Sequence, residues 1–191
     1  MAKRNRFEVL ETPIELNRRL IKGILKSGDI VIDATCGNGH DSTFIAECIG
    51  KEGTLYCFDI QAEAIKNTQE SLERLNDKPM YLMFKESHAK LELFVKTKVD
   101  CVFYNLGYLP TSDKSITTEA TETIKSVQAA FKLLKPNGII SLMVYLTHDN
   151  EYEYQQIKNY LLSLNSNEVS IAETAFILRK SSPVLFIIEM L

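Results

Sequence analysis

Asp29-Ile-Val-Ile-Asp-Ala-Thr-Cys-Gly-Asn-Gly-His-Asp41 reads as a strand, a tight turn and the start of a helix. Residues 29–34 form a short, mostly apolar run, suited to a strand covered on both faces. Gly37-Asn38-Gly39 follows, a turn that exposes backbone amides. Glycine carries no Cβ, so a nucleotide-like ligand can approach such a turn closely. From His40 the pattern becomes helical and runs to residue 49.

On either side of this stretch, helical and extended patterns alternate. Thr12-Pro13 is a capping residue followed by a first-turn proline. Ile14, Leu16, Leu20, Ile21, Ile24 and Leu25 then recur at helical spacing toward Gly28. Beyond residue 50 the pattern predicts strands at 54–60, 80–84, 100–105, 139–146, 169–176 and 184–189. It predicts helices at 61–75, 89–95, 117–134 and 151–164, with Ala64, Ile65, Leu72 and Leu75 on the inner side of the first. Lys135-Pro136-Asn137-Gly138 reads as a helix stop. This alternation predicts an α/β fold of three layers, a mostly parallel seven-stranded sheet with helices on both faces. Only residues 177–183 separate the last two strands. That permits a hairpin but no parallel crossover, so the last strand is expected to be antiparallel.

The 191 residues suit a single domain spanning 1–191, with 45% hydrophobic and 25% charged residues, as in ordinary globular chains. No apolar run approaches the ~20 residues needed to span a bilayer. The basic N-terminus lacks the apolar stretch of a signal peptide. Cys36, Cys48, Cys57 and Cys101 form no CxxC pair and read as buried free thiols in a reducing, cytoplasmic setting. The net charge of −3 does not advertise a nucleic-acid binder, although a local basic patch would suffice. Lys3, Arg4 and Arg6, then Lys85, Lys90, Lys96 and Lys98, then Arg179 and Lys180 could form one, or could simply be solvated. His40, His88 and His148 show no metal spacing, so no metal is expected.

Asp59 ends the second strand about twenty residues past the turn, where a carboxylate commonly accepts from a ribose diol. It could instead cap the helix that starts at Gln61. Both a nicotinamide dinucleotide and S-adenosylmethionine fit these features. Two details separate them. Ser42 stands where the dinucleotide fingerprint wants Gly or Ala. Asp33 and Asp41 flank the turn, and their charge repels a pyrophosphate while attracting the ammonium of a methionine moiety. Asp41 could also be a solvated carboxylate at a helix N-terminus. Ser87-His88 follows the third strand, where a hydroxyl and a backbone amide could read an adenine edge, or where Ser87 could only cap the next helix.

Asn105-Leu106-Gly107-Tyr108 ends the fourth strand and is similar in plan to the Asn-Pro-Pro-Tyr loop of amino-group methyltransferases. There the Asn oxygen and the following carbonyl accept from a target amine, and the tyrosine offers a ring face to a planar base. A buried Asn in a strand-end turn, with Tyr108 in the core, is the plainer alternative.

Three strings together, Asp33-Ala-Thr-Cys-Gly-Asn-Gly-His-Asp41, Ser87-His88 and Asn105-Leu-Gly-Tyr-Leu-Pro110 followed by Asp113-Lys-Ser-Ile-Thr-Thr118, resemble the YtqB/MnmM family. Members are labelled rRNA methylases. The resemblance runs from the first helix to Ser182-Pro183. It implies a Rossmann-like class I methyltransferase fold using S-adenosylmethionine. It also implies methylation of the tRNA wobble uridine, turning 5-aminomethyl-2-thiouridine into its methylaminomethyl form. The catalytic candidates are Asn105 and Tyr108. On the cofactor side stand Asp33, Gly37, Asn38, Gly39, Asp41, Asp59, Gln61, Ser87, His88 and Asn105. On the substrate side stand Leu106, Gly107, Tyr108, Lys114, Ser115 and Thr117, the last also a helix cap. The partner implied is the tRNA anticodon stem-loop, and a homodimer could extend a basic surface toward it. The chain departs from the family pattern at Thr111-Ser112 and around Tyr145-Leu-Thr-His148, where glycines are missing. Other acceptors (rRNA, a protein side chain, a small amine) and a non-catalytic nucleotide-binding module stay open.

Overall fold

Seven strands form one sheet in the computed structural model, which describes residues 10–106, 120–146, 151–179 and 182–191. They are β1 (Ile30–Asp33), β2 (Thr54–Asp59), β3 (Met80–Lys85), β4 (Val99–Asn105), β5 (Leu134–Val144), β6 (Val169–Thr174) and β7 (Val184–Met190). Their lateral order is β3-β2-β1-β4-β5-β7-β6. The first five pair in parallel, while β7 runs antiparallel to both β5 and β6. The expected hairpin is present, and its second strand inserts between β5 and β6.

Side-chain alternation along the strands makes two cores. On one face Val31, Leu55, Cys57, Cys101 and Phe103 pack with Ile21 and Leu25, Ile45 and Ile49, and Leu72. Those partners belong to α1 (Pro13–Ile24) and its cap, α2 (His40–Ile49) and α3 (Ala62–Glu73). On the other face Ile32, Phe58, Val102, Tyr104 and Ile140 meet Leu91, Val127, Ala130, Ile157 and Leu161. These come from the short α4 (Leu91–Phe94), α5 (Ala120–Leu133) and α6 (Tyr152–Leu162). Neighbouring positions such as Val31 and Ile32 thus serve opposite cores, which is why the strands read as continuous apolar runs.

Thr12 caps α1 as expected, its Oγ1 accepting from the Glu15 N–H at 3.1 Å. The inner face of α1 differs from the apolar tally. Leu20 is 42% exposed, whereas Asn17 is buried and accepts from Ser141 Oγ of β5 at 2.9 Å. The helix stop also needs correcting. α5 does end at Leu133, but pairing in β5 begins at once: Val99 pairs with Leu134 and Cys101 with Ile139. Residues 135–138 bulge out between these two pairs, with Asn137 at φ 61°. The bulge is held because Lys135 Nζ reaches both oxygens of Asp100, at 2.8 and 2.7 Å, while Asp100 Oδ2 accepts from the Ile30 N–H.

Cys36, Cys57 and Cys101 are buried free thiols, and Cys48 is half-buried. Burial pushes each of the four thiols upward, away from the reactive thiolate. The basic residues serve the fold more than an open patch. Lys90 pairs with Glu86, Lys96 donates to the Glu92 carbonyl, and Lys98 donates to the carbonyls of Lys132 and Leu134. Arg179 donates to the backbone of Leu10 and Glu11. Lys3, Arg4, Arg6 and Lys180 lie outside the described residues.

A buried hydroxyl relay ties α5 to the sheet. Ser126 Oγ lies 2.7 Å from Tyr104 Oη and donates to the His88 carbonyl at 2.9 Å. Ser126→Ala would leave the Tyr104 hydroxyl unpaired in the core and take one of two donors from the His88 carbonyl, which keeps the Leu91 N–H, so we expect a loss of about 2 kcal/mol. Tyr104→Phe strands no donor and should cost roughly half as much. Urea denaturation of the two variants checks that ranking.

Candidate active site

The strand order reverses between β1 and β4, so the crevice beyond their C-terminal ends is the place where such sheets bind ligands. The glycine bend sits there. Gly37 and Gly39 have φ of 50° and 80°, values that favour glycine. Gly39 has a further reason to lack a side chain: a Cβ would stand 2.8 Å from Thr68 Cα of α3. α3 grips the bend from that side. Thr68 Oγ1 donates to the Gly37 carbonyl at 3.0 Å, and Asn67 Nδ2 donates to Asn38 Oδ1 at 3.0 Å.

Asp33 is 1% exposed and both of its oxygens are used internally. Oδ2 accepts from Ser42 Oγ at 2.5 Å and Oδ1 from the Thr35 N–H at 3.2 Å. Ser42, the departure from the dinucleotide fingerprint, is therefore the partner Asp33 requires. Burial pushes Asp33 up to about 7, against the Ser42 hydrogen bond and with help from the Asp41 charge. The carboxylate expected to face an ammonium instead braces the bend. Asp59 is half-buried and ties β2 to the same bend: Oδ2 accepts from the Gly37 N–H at 3.1 Å, Oδ1 from the Gln61 N–H at 2.9 Å. Burial raises it, opposed by backbone bonds from Gln61, Gly37 and Ile60. Each Asp59 oxygen keeps a further acceptor position.

Ser87 caps the 3-10 turn His88–Lys90, accepting from the Ala89 N–H at 3.2 Å. His88 is buried edge-on to the Tyr104 ring, 5.9 Å between centroids. Burial pulls it down to about 4, opposed by Glu122, so the ring is neutral near pH 7. Its Nδ1 is buried and has no partner among the described residues.

The end of β4 carries the most telling arrangement. The Asn105 N–H donates to Thr35 Oγ1 at 2.7 Å, and the Leu106 N–H donates to the Met143 carbonyl at 2.9 Å. Asn105 Nδ2 donates to Asp41 Oδ2 at 2.8 Å. Asp41 Oδ1 in turn accepts from Arg18 at 3.0 Å; the guanidinium also reaches the His40 carbonyl and lies over the Phe44 ring. Burial and the nearby Asp41 charge raise Tyr145. Asn105 Oδ1 is buried and has no partner among the described residues.

Asp33, Gly37, Asn38, Gly39, Asp41, Asp59, Gln61 and Asn105 thus gather at one end of the sheet, with the Ser87-His88 turn beyond β3. Gly107, Tyr108, Lys114, Ser115, Thr117 and His148 lie outside the described residues. The sequence reading missed Thr35 and Arg18. Thr35 could have been suspected as a hydroxyl inside the turn motif, whereas Arg18 looks like any charge on an amphipathic helix. Among the described residues no three metal-ligating side chains cluster, and no helix is long and apolar enough to cross a membrane.

The fold and site define a Rossmann-like methyltransferase scaffold. Residues 55–189 match the family described as "Putative rRNA methylase", and the chain belongs to that family. A structure from Clostridium thermocellum, described as a "putative rRNA-methylase", is 33% identical with a TM-score of 0.91. The match covers 96% of this chain and 100% of that one. A Streptococcus mutans protein, described as a "putative methyltransferase" in complex with SAH, is 28% identical with a TM-score of 0.84, covering 95% of this chain and 99% of the other. The chloroplastic tRNA (mnm(5)s(2)U34)-methyltransferase of Arabidopsis thaliana is 37% identical over 144 residues. That match takes in 70% of this chain, which spans about half (53%) of the length of that relative.

The two buried titratable groups give the pH dependence of stability a definite form. Asp33 is raised from 3.8 to about 7, so its contribution favours folding below pH 3.8 and is lost as pH rises through 7. His88 is lowered from 6.5 to about 4, so its contribution is full above pH 6.5 and is lost as pH falls through 4. The two oppose each other across this window. Asp33→Asn removes the first, so its melting temperature should fall more steeply than wild type on acidification from pH 7 to 4, by roughly 5 °C in excess. Parallel profiles would show that Asp33 is not protonated in the folded protein.

Proposed function

We propose that the protein is an S-adenosylmethionine-dependent N-methyltransferase. In this reading it converts 5-aminomethyl-2-thiouridine at the wobble position of tRNA to 5-methylaminomethyl-2-thiouridine. The observation that carries the reading is the polarity of Asn105. A carboxylate can only accept, so Asp41 fixes the Asn105 amide nitrogen toward itself and turns Oδ1 away. An unpaired, buried acceptor is costly and suits a ligand that donates, such as an amine N–H.

The chain's own residues fit the cofactor. Asp59 would accept from a ribose diol, the glycine bend lies at the sheet's switch point, and Ser87-His88, in the turn after β3, would read an adenine edge. When bound, S-adenosylmethionine supplies an electrophilic methyl on a cationic sulfur, leaving as S-adenosylhomocysteine. Asn105 and the Leu106 carbonyl would accept the amine N–H groups and aim the nitrogen lone pair. Orientation of this kind can supply ~7–11 kcal/mol of a bimolecular barrier, so no strong base is required. A primary alkylamine resembles lysine, with a pKa of ~10. Removal from water favours the free base that must react. Tyr108 would stack on the uracil ring. Lys114, Ser115 and Thr117 would meet the anticodon stem-loop, whether from one copy or a homodimer. The whole reaction would be carried by this one domain in the cytoplasm, where free thiols persist. The tRNA methyltransferase relative and the SAH-bound neighbour support this choice of acceptor and cofactor.

Asn105→Ala should lower kcat on precursor tRNA at least about 100-fold. Its affinity for S-adenosylhomocysteine, measured by calorimetry, should stay close to wild type. Nucleoside mass spectrometry of a deletion strain should show 5-aminomethyl-2-thiouridine accumulating. Intact wobble nucleosides with a methyl missing from rRNA would instead favour a ribosomal acceptor.

A further inference from the structure

We infer that Asp41 is a positioning residue for the acceptor amine, holding the Asn105 carboxamide in one of its two flips, with Arg18 bracing Asp41 from α1. This rests on the reading that Asn105 receives the amine.

Asp41 is nearly buried, and each of its oxygens is engaged: Oδ1 by Arg18 at 3.0 Å, Oδ2 by Asn105 Nδ2 at 2.8 Å. Those two bonds hold Asp41 against Asn105 and Arg18. The role they give it follows from donor and acceptor chemistry. The two ends of a carboxamide are nearly equal in size, so shape alone does not choose between them. A neighbour that only accepts does choose, and the wrong flip would set two oxygens against each other. The wrong flip would also turn an NH2 toward the amine, replacing an acceptor with a donor. Three links fix the geometry: the Asn105 backbone through Thr35, its side chain through Asp41, and Asp41 through Arg18. Arg18 meets Asp41 while its guanidinium lies 5.5 Å from the Phe44 ring centroid, so the brace spans α1 and α2. An arginine in this place also balances the carboxylate's charge, so that Asp41 can approach Asn105 without adding a bare anion to the pocket.

The test uses precursor tRNA from a deletion strain, with S-adenosylhomocysteine as the cofactor-site probe, since that molecule carries the same ammonium. Asp41→Asn should lower kcat roughly 10- to 100-fold, with S-adenosylhomocysteine affinity within about threefold of wild type. Asn105→Asp alone sets two carboxylates face to face and should be inactive. The exchange D41N/N105D restores the hydrogen bond with its donor reversed and returns an oxygen to the outward position. It should recover at least about tenfold over Asn105→Asp. Independently of any acceptor, the Asn105 side-chain NH2 pair, assigned in NMR spectra by its loss in Asn105→Asp, should shift and exchange faster in Asp41→Asn. Should Asp41→Asn fail to fold, Arg18→Lys, which loosens Asp41 from its other side, is measured in the same ways. Wild-type kcat in Asp41→Asn, an affinity loss matching the activity loss, or no rescue by the exchange would overturn the inference. If Asn105→Ala keeps full activity, or wild type leaves the tRNA unmodified, the proposed function fails, and the NMR and affinity measurements still decide the role of Asp41.

Discussion

The top of the sheet is governed by where β1 and β4 part. They pair in parallel through Asp33 and Phe103, and the Ala34 N–H still donates to the Phe103 carbonyl. One residue later the backbones no longer bond to each other. The Asn105 N–H turns to a side chain, Thr35 Oγ1, in place of a neighbouring carbonyl. That substitution lets the strands separate without stranding a buried donor, and a crevice opens where they do. The glycine bend leaves β1 toward α2 on one side, and the loop after Asn105 leaves β4 on the other. Moving either strand by one residue would reverse which core each side chain enters and take Asn105 away from Asp41.

Much of this was legible in the sequence because it rests on local chemistry. The bounds of α2, His40–Ile49, follow from a glycine on each side. The antiparallel ending follows from a connection too short for a crossover. The clustering of Asp33, Asp59 and Asn105 follows from each closing a parallel strand. What stayed hidden is what depends on distant partners. The bulge at 135–138 looks like any turn until Lys135 meets Asp100. Asn17 and Arg18 look like the polar face of α1. Only the packing of α1 over β5 and α2 makes one a core hydrogen bond with Ser141 and the other a brace for Asp41. Asp33 read as a charged acid beside the turn, because its burial depends on Ser42 in the first turn of α2.

The charge pattern carries a related lesson. A run such as Lys85, Lys90, Lys96 and Lys98 suggests a surface for phosphates. In the fold, three of its members are spent on Glu86 and on carbonyls at the ends of α4 and α5. Cations placed at helix C-termini neutralise the exposed carbonyl ends and hold adjacent layers together. An interface for an anionic polymer would then be built from other cations, or from more than one copy of the chain.

The two ends of the sheet differ in how completely their polar groups are satisfied. At the N-terminal end, Asp100 takes the Ile30 N–H and Lys135, and the Asp29 carboxylate takes the Lys26 N–H. There the polar side chains pair with one another, around a cleft lined by Leu25, Asp29, Asp100 and Lys135. At the C-terminal end, Asn105 Oδ1 and His88 Nδ1 are buried without partners among the described residues, and Asp33 is a buried acid shifted toward neutrality. Each unpaired group costs about 1–3 kcal/mol in a folded protein. A chain that pairs its polar groups so fully at one edge has the means to do so at the other. An acceptor and a neutral imidazole unpaired among the described residues are a loss of stability that a bound ligand can recover. The same asymmetry bears on Asp41: a carboxylate only accepts, so its pairing with Arg18 and the Asn105 amide leaves Asn105 Oδ1 open to a ligand that donates.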